Sequence, residues 1–237
     1  MARLPRIVVP GHPHLVIHRG RSGERVFRDA ADRDLYRASL LEAARSAKVA
    51  VHAYGLLPTE VRLLVTPESE AGLANLMQAI GRRYVRGFNQ KYGCTGTPWE
   101  GRFRSAVIEA ATQFLPCLRF VEDAEPARAD VDADPTTDGC ASAAHHLGLH
   151  VDPLVSEHMV FWALGNTPFE REAAYRRLIA QPLAQSEVAT ILHAALNGWA
   201  LGSLAFATMV GDQAGRRPLR SARGRPRKPV ALLRQLV

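Results

Sequence analysis

The chain has 237 residues, 47% of them apolar and 22% charged, which is enough to bury a core and too apolar for a disordered polymer. No apolar run approaches the roughly 20 residues of a membrane span, the start MARLPRIVVPGHPH has no signal-peptide core, and three cysteines without C-x-x-C spacing suggest neither a disulfide nor a zinc framework, so a reduced cytoplasmic protein is expected. A net charge of +7 and a pI near 9.8 favour a polyanionic partner.

The charge is uneven. Residues 81–104 carry six Lys/Arg against one acid and residues 216–237 eight against none, while residues 122–138 are acidic. In chain order, Pro10-Gly11 precedes a β-type run over 14–18. Residues 29–48 read as a helix, with Asp29 as cap and Leu35, Leu40 and Leu41 along one stripe. Two strand-like runs, 49–57 and 61–66, flank Pro58-Thr59-Glu60 and predict a hairpin. Residues 70–92 form a second amphipathic helix, with Leu73, Leu76, Met77, Ile80 and Tyr84 at helical spacing, stopping at Gly93. A strand over 103–111 and a helix over 113–123, with Pro116 near its start, complete the pattern. Strand–helix–strand–strand–helix–strand is the order of a ferredoxin-like α+β sandwich with an antiparallel sheet. Beyond it, 130–140 is acidic and turn-rich, 157–180 and 185–212 look helical, and 216–229 is rich in Arg, Pro and Gly.

Several blocks, in order and over nearly the whole chain, carry a resemblance. They are His18-Arg19-Gly20 with Val26-Phe27, then Val51-His52-Ala53-Tyr54-Gly55-Leu56-Leu57-Pro58, then Met77-Gln78 with Arg82-Arg83-Tyr84. Trp99-Glu100-Gly101-Arg102-Phe103-Arg104-Ser105, Arg119-Phe120-Val121-Glu122, Leu164-Gly165-Asn166-Thr167-Pro168 and Gly198-Trp199-Ala200-Leu201-Gly202 continue it. Together they resemble the REP-associated tyrosine transposases, bacterial relatives of the small HUH-class single-stranded-DNA transposases. The resemblance implies a transposase-like DNA-binding domain over 1–131, an acidic linker and helical extension over 132–182, a small helical unit over 183–215 and a basic DNA-binding tail over 216–237.

The family's chemistry pairs two histidines, His-x-His on a central strand, around a divalent metal. A polar side chain on a later helix adds a ligand, and a tyrosine there attacks a DNA phosphorus, leaving a 5′-phosphotyrosine. This sequence departs at each decisive position. Where His-x-His is expected it reads Glu60-Val61-Arg62; the nucleophile position falls on Phe120, and the polar position on Ala124, or on Glu125 with a one-residue slip. No catalytic set is intact and no metal site is expected. One reading makes Arg62 a fixed cation that grips phosphate where the family holds metal; the other makes Glu60 and Arg62 a solvent-facing ion pair.

The expected DNA contacts are Arg19, Arg62, Arg82, Arg83, Arg86, Lys91, Arg102 and Arg104, with Arg223, Arg225, Arg227 and Lys228 of the tail. Arg223-Gly-Arg-Pro has the core of an AT-hook and could enter an AT-rich minor groove; a generic electrostatic tether is the equal alternative. Gly198-Trp199 between two helical runs leaves a helix-turn-helix open. His12-Pro13-His14, His145, His146 and His150 are read as turn, surface or packing residues, and His52 as a core histidine. The expectation is a nucleoid-associated protein that binds single-stranded or hairpin palindromic DNA without cleaving it, with no membrane partner and a homodimer left open. The competing reading is an active Mg-dependent single-strand endonuclease and transposase using Glu60, Glu125 and an unassigned nucleophile.

Overall fold

Residues 6–123 and 140–215 are described in the computed structural model. Strand β1 (His14–Arg19) leads into helix α1 (Ala30–Ala47). The Asp29 carboxylate caps the Asp32 amide, and Asp32 returns the bond, so two orphan donors of the first turn are satisfied. Strands β2 (Val49–Leu57) and β3 (Glu60–Pro67) form the expected hairpin, and α2 (Gly72–Tyr92) ends at Gly93, whose φ of 64° suits a residue without Cβ. After β4 (Arg104–Val107) comes α3 (Ala110–Glu122).

The sheet order is β2-β3-β1-β4, with every neighbouring pair antiparallel. This is the α+β ferredoxin-like sandwich with two split crossovers. Alternation along the strands sorts the core: Val16, Tyr54, Leu56, Val61, Leu63 and Val65 face α1 and α2, while Leu15, Ile17, Ala53, Leu64 and Ala106 face α3. A bulge between Val51 and Ala53 leaves His52 outside the pairing, so the alternation resets there.

The chain beyond residue 140 completes the second face and both sheet edges. It forms α4 (Ala143–His146), α5 (Met159–Trp162), α6 (Pro168–Ile179), α7 (Gln185–Asn197) and α8 (Leu204–Ala214). Phe161, Tyr175, Ile191, Ala194, Ala195 and Leu201 share one core with Leu15, Ile17 and Phe120. The β2 edge is covered by bonds from Leu56 N–H to the Cys140 carbonyl, from Ser142 N–H to Tyr54 and from Ser156 N–H to Val51. The β4 edge is closed by Leu201, which pairs with Val107 and Glu109. Both edges thus carry backbone partners from the later chain, along much of β2 and at the end of β4.

Three expectations shift. The strand over 103–111 is four residues long, because beyond Val107 the backbone pairs with Pro13 and Leu201 rather than with β1. The following helix consequently starts at Ala110, and Pro116 lies inside it, where Thr112 lacks its intrahelical donor. The run 157–180 splits into α5 and α6, since Thr167 and Glu170 form a capping box ahead of Pro168.

Buried histidines predict acid sensitivity. His14 donates to the His12 carbonyl and accepts from Val9 N–H; His52 donates to the Ser156 carbonyl and accepts from the Thr66 hydroxyl. Burial pushes both pKa values down to about 4, so both rings are neutral in the fold and protonate first in the unfolded chain. Stability from this source is complete above about pH 6.5 and is lost as pH falls towards 4, by roughly 3 kcal/mol per ring. Urea melts at pH 7.5 and pH 5 should show this loss, and His52→Gln should flatten it; a midpoint equal at the two pH values would contradict it.

Candidate nucleic-acid interface

The register places Gly55, Arg62, Ile17 and Arg104 in one row across all four strands. Their side positions share the face that carries α3, and Glu60 and Arg19, two residues along, share it too. A Cβ at Gly55 would collide with the Val121 carbonyl, so glycine lets α3 lie directly on β2. That close approach delivers Phe120 to Arg62.

The Arg62 guanidinium is held on three sides. Its Nε donates to Glu60 Oε1 at 2.7 Å, its Nη1 donates to the Phe120 carbonyl at 3.0 Å, and its carbon lies 4.3 Å from the centre of the Phe120 ring. The other Glu60 oxygen accepts from Arg19 Nε at 3.1 Å. Glu60 is thus a carboxylate between two guanidinium groups, its side chain 12% exposed and that of Arg62 16%. The three positions singled out in the sequence, 60, 62 and 120, meet in space. They are neither a free solvent-facing pair nor an open fork: Arg62 is also the clasp that satisfies carbonyls at the end of α3.

The residues do not fit a divalent cation. Both Glu60 oxygens already face cations, Arg62 has no lone pair to offer, and Phe120 has no hydroxyl. Among the described residues no group of three or more His, Cys, Asp or Glu side chains is placed to hold a metal. Ala124 and Glu125 lie outside the described residues, as do Arg223, Arg225, Arg227 and Lys228.

At the β4 end the row opens to solvent. Arg102 and Arg104 are exposed. Arg6, absent from the sequence-based set, stacks 3.7 Å over the Phe103 ring and donates through Nε and Nη2 to the Phe103 carbonyl. Burial first, then the charges of Arg102 and Arg104, lower its pKa to about 10. Among the described residues none of these three arginines has a carboxylate within ion-pair distance. Three cations gathered without an acid repel one another, and an anion would relieve that repulsion. His18, beside them, stacks on Trp99 at 4.1 Å and bonds the Gly101 carbonyl; burial drops its pKa to about 4, so it is neutral. Arg19, 41% exposed, connects this end to Glu60. Arg6 was invisible in sequence because its role depends on a 97-residue separation.

The remaining cations lie elsewhere. Arg82, Arg83 and Arg86 belong to α2, in the layer behind the sheet, and Arg83 pairs with Glu42 of α1. Lys91 is bound to Asp29 and Asp32 at the start of α1, where it braces the cap. The basic stretch 81–104 is therefore divided between two surfaces.

The other singled-out groups are structural. Tyr84 is buried in the α1–α2 layer with its hydroxyl on the Val26 carbonyl. His12 and His14 each bond backbone carbonyls. His146, read as a surface or packing residue, is buried: Glu122 accepts from its Nδ1 and from the hydroxyls of Ser142 and Tyr175. This polar knot ties α3 to α4 and α6, and nothing local in the sequence marks it. In α7 and α8, Ile191, Ala194, Ala195, Phe206 and Val210 are core.

No family model and no curated protein matches the chain. Solved structures do. A REP-associated tyrosine transposase bound to a REP hairpin superposes with a TM-score of 0.51 and 12% identity, over 67% of this chain and 92% of that one. A Deinococcus radiodurans protein provisionally described as a transposase covers 48% of this chain and 91% of its own, at 16% identity and a TM-score of 0.35. The first likeness establishes a shared fold; the second carries no argument.

Removal of the clasp should be felt in stability. Arg62→Ala strips the Phe120 carbonyl of a partner and is expected to cost roughly 2–3 kcal/mol. Glu60→Ala with Arg62→Ala should cost less than the two single changes summed, because the pair is coupled. Urea melts of the three variants measure this. Full additivity, or an Arg62→Ala protein as stable as the parent, would show that the clasp is idle.

Proposed function

We propose that this chain is a DNA-binding protein of the REP-associated tyrosine transposase type that recognises single-stranded or hairpin DNA with palindromic repeats and no longer cleaves it. The observation that carries the reading is the meeting of Glu60, Arg62 and Phe120 in one closed cluster. Residues that the sequence resemblance aligns with a metal pair and a nucleophile are neighbours in space, as active-site residues would be. Their chemistry has been exchanged for an ion pair and a cation–π contact.

Binding follows from what remains. Arg6, Arg19, Arg102 and Arg104 line the open end of the arginine row, where a phosphate backbone would displace counterions and ease the mutual repulsion of the cations. Arg62 adds its charge from behind, since two of its nitrogens are committed to protein acceptors. The basic tail, Arg223, Arg225, Arg227 and Lys228, would add affinity for duplex DNA, as a tether or through an AT-rich minor groove. The REP hairpin held by the structural relative is the ligand class this reading brings to the present chain.

The competing reading, a Mg-dependent nuclease acting through Glu60, requires Glu60 to leave both of its arginine partners. The test uses labelled hairpin DNA with and without Mg²⁺ or Mn²⁺. The expected result is a salt-sensitive complex, no cleavage and no protein–DNA adduct on a denaturing gel. Arg102→Ala with Arg104→Ala should weaken binding about tenfold or more, since each charge-assisted contact contributes ~1.5–3 kcal/mol. Phe120→Tyr alone should restore no cleavage, because Arg62 still fills the site. A boiling-resistant adduct in the parent would overturn the silent reading; absence of hairpin binding would overturn the DNA-binding one.

A further inference from the structure

The second basic surface lies on the layer behind the sheet. Along α2, Ala79, Arg82, Arg83, Arg86 and Gln90 are all exposed and follow helical spacing, forming one stripe. The stripe lines a cleft against α1, with Gly87 in its floor and Glu42 on its rim. At Gly87 the helices pack closely: a Cβ there would press into the Leu35 side chain of α1. Only Arg83 has an acid partner, Glu42; among the described residues Arg82 and Arg86 have none. Those two sit four residues apart on one face, about 6 Å along the axis, so one backbone running along the helix could meet both.

The lining also bears on what kind of strand would bind. Single-stranded DNA is held by aromatic platforms on which unpaired bases stack. Of the aromatic residues of this helix, Tyr84 and Phe88 are buried in the core and Tyr92, half-buried at the helix end, is bonded to Asp32 and covered by Arg28, so the stripe itself presents guanidinium and amide groups. A surface of phosphate-binding groups without a stacking ring suits the intact backbone of a duplex, read without regard to sequence.

We infer that the α1–α2 cleft, through Arg82 and Arg86 with Arg83 and Gln90, is a second and sequence-independent site for duplex DNA, so that one chain holds two DNA segments on opposite layers of the sandwich. The inference rests on the DNA-binding reading for its first segment, but the cleft itself does not require hairpin recognition.

A capture assay with the full chain tests it. A biotinylated DNA hairpin is fixed to beads, protein is added, and a fluorescent linear duplex of unrelated sequence is offered. The parent should capture the duplex. Arg82→Gln with Arg86→Gln should keep hairpin retention unchanged yet reduce duplex capture about tenfold. The slope of log affinity for duplex against log salt should fall by about 2, as two phosphate contacts are lost. A parallel variant with Arg223, Arg225, Arg227 and Lys228 changed to Gln separates the cleft from the tail. Unchanged capture by the Arg82/Arg86 variant, or capture lost only in the tail variant, would overturn the cleft while leaving hairpin binding intact. A parent that ignores the hairpin but binds duplex through Arg82 and Arg86 would overturn the hairpin reading and uphold the cleft. A parent that binds neither DNA would overturn both.

Discussion

The Arg62 guanidinium, clasped between Glu60, the last turn of α3 and the Phe120 ring, is the constraint around which this molecule is organised. A charge with only 16% of its side chain exposed must find acceptors or drain stability. It finds a carboxylate from its own strand, and a main-chain carbonyl and an aromatic face that both belong to Phe120 of α3. Glu60 supplies the first because β3 alternates and returns every second residue to one face. The other two exist because Gly55 lets α3 settle on β2. The same helix then carries Glu122 into the polar knot with Ser142, His146 and Tyr175, which anchors the chain beyond residue 140. Loosening of the clasp would be expected to loosen α3, and with it the cover of the second face.

On the proposed reading, the site has changed chemistry without losing its shape. The strand row and the helix cross at one point, and the groups that meet there satisfy one another. Glu60 between Arg19 and Arg62 leaves a net positive cluster, which opposes rather than attracts a cation. Among the described residues the adjacent arginines 6, 102 and 104 have no acid within ion-pair distance. Positive potential at that end is therefore built in, and a polyanion is the partner that would complete it.

Much of the fold was legible in the sequence. Alternation and turn residues marked β1 and the β2–β3 hairpin, and Asp29 and Gly93 marked the start of α1 and the end of α2. What was hidden depended on distant partners. The end of β4 is decided by Leu201, roughly ninety residues on, and the Glu122 knot by three residues from 142 to 175. The resemblance assigns positions 60, 62 and 120 to the family's metal pair and nucleophile, but the clasp is not legible, since no local pattern tells whether an arginine on a strand faces water or a helix end. The basic stretch 81–104 looked like one surface; the loop after Gly93 carries it from the helical layer round to the β4 edge, so it is two. Lys91, counted among the DNA contacts, is bound to the acids that cap α1.

We propose that the arginine clasp occupies the place that the REP-associated transposases, by the sequence resemblance, give to a metal. The most direct measurement is NMR of the arginine side chains during titration with paramagnetic Mn²⁺. The Arg62 Nε–H, hydrogen-bonded and shielded, should give a resolved, slowly exchanging signal. Signals around Glu60, Arg62 and Arg19 should broaden no more than those of distant arginines. Selective loss of the Arg62 and Arg19 signals at low Mn²⁺ would place a cation beside Glu60 and contradict the account.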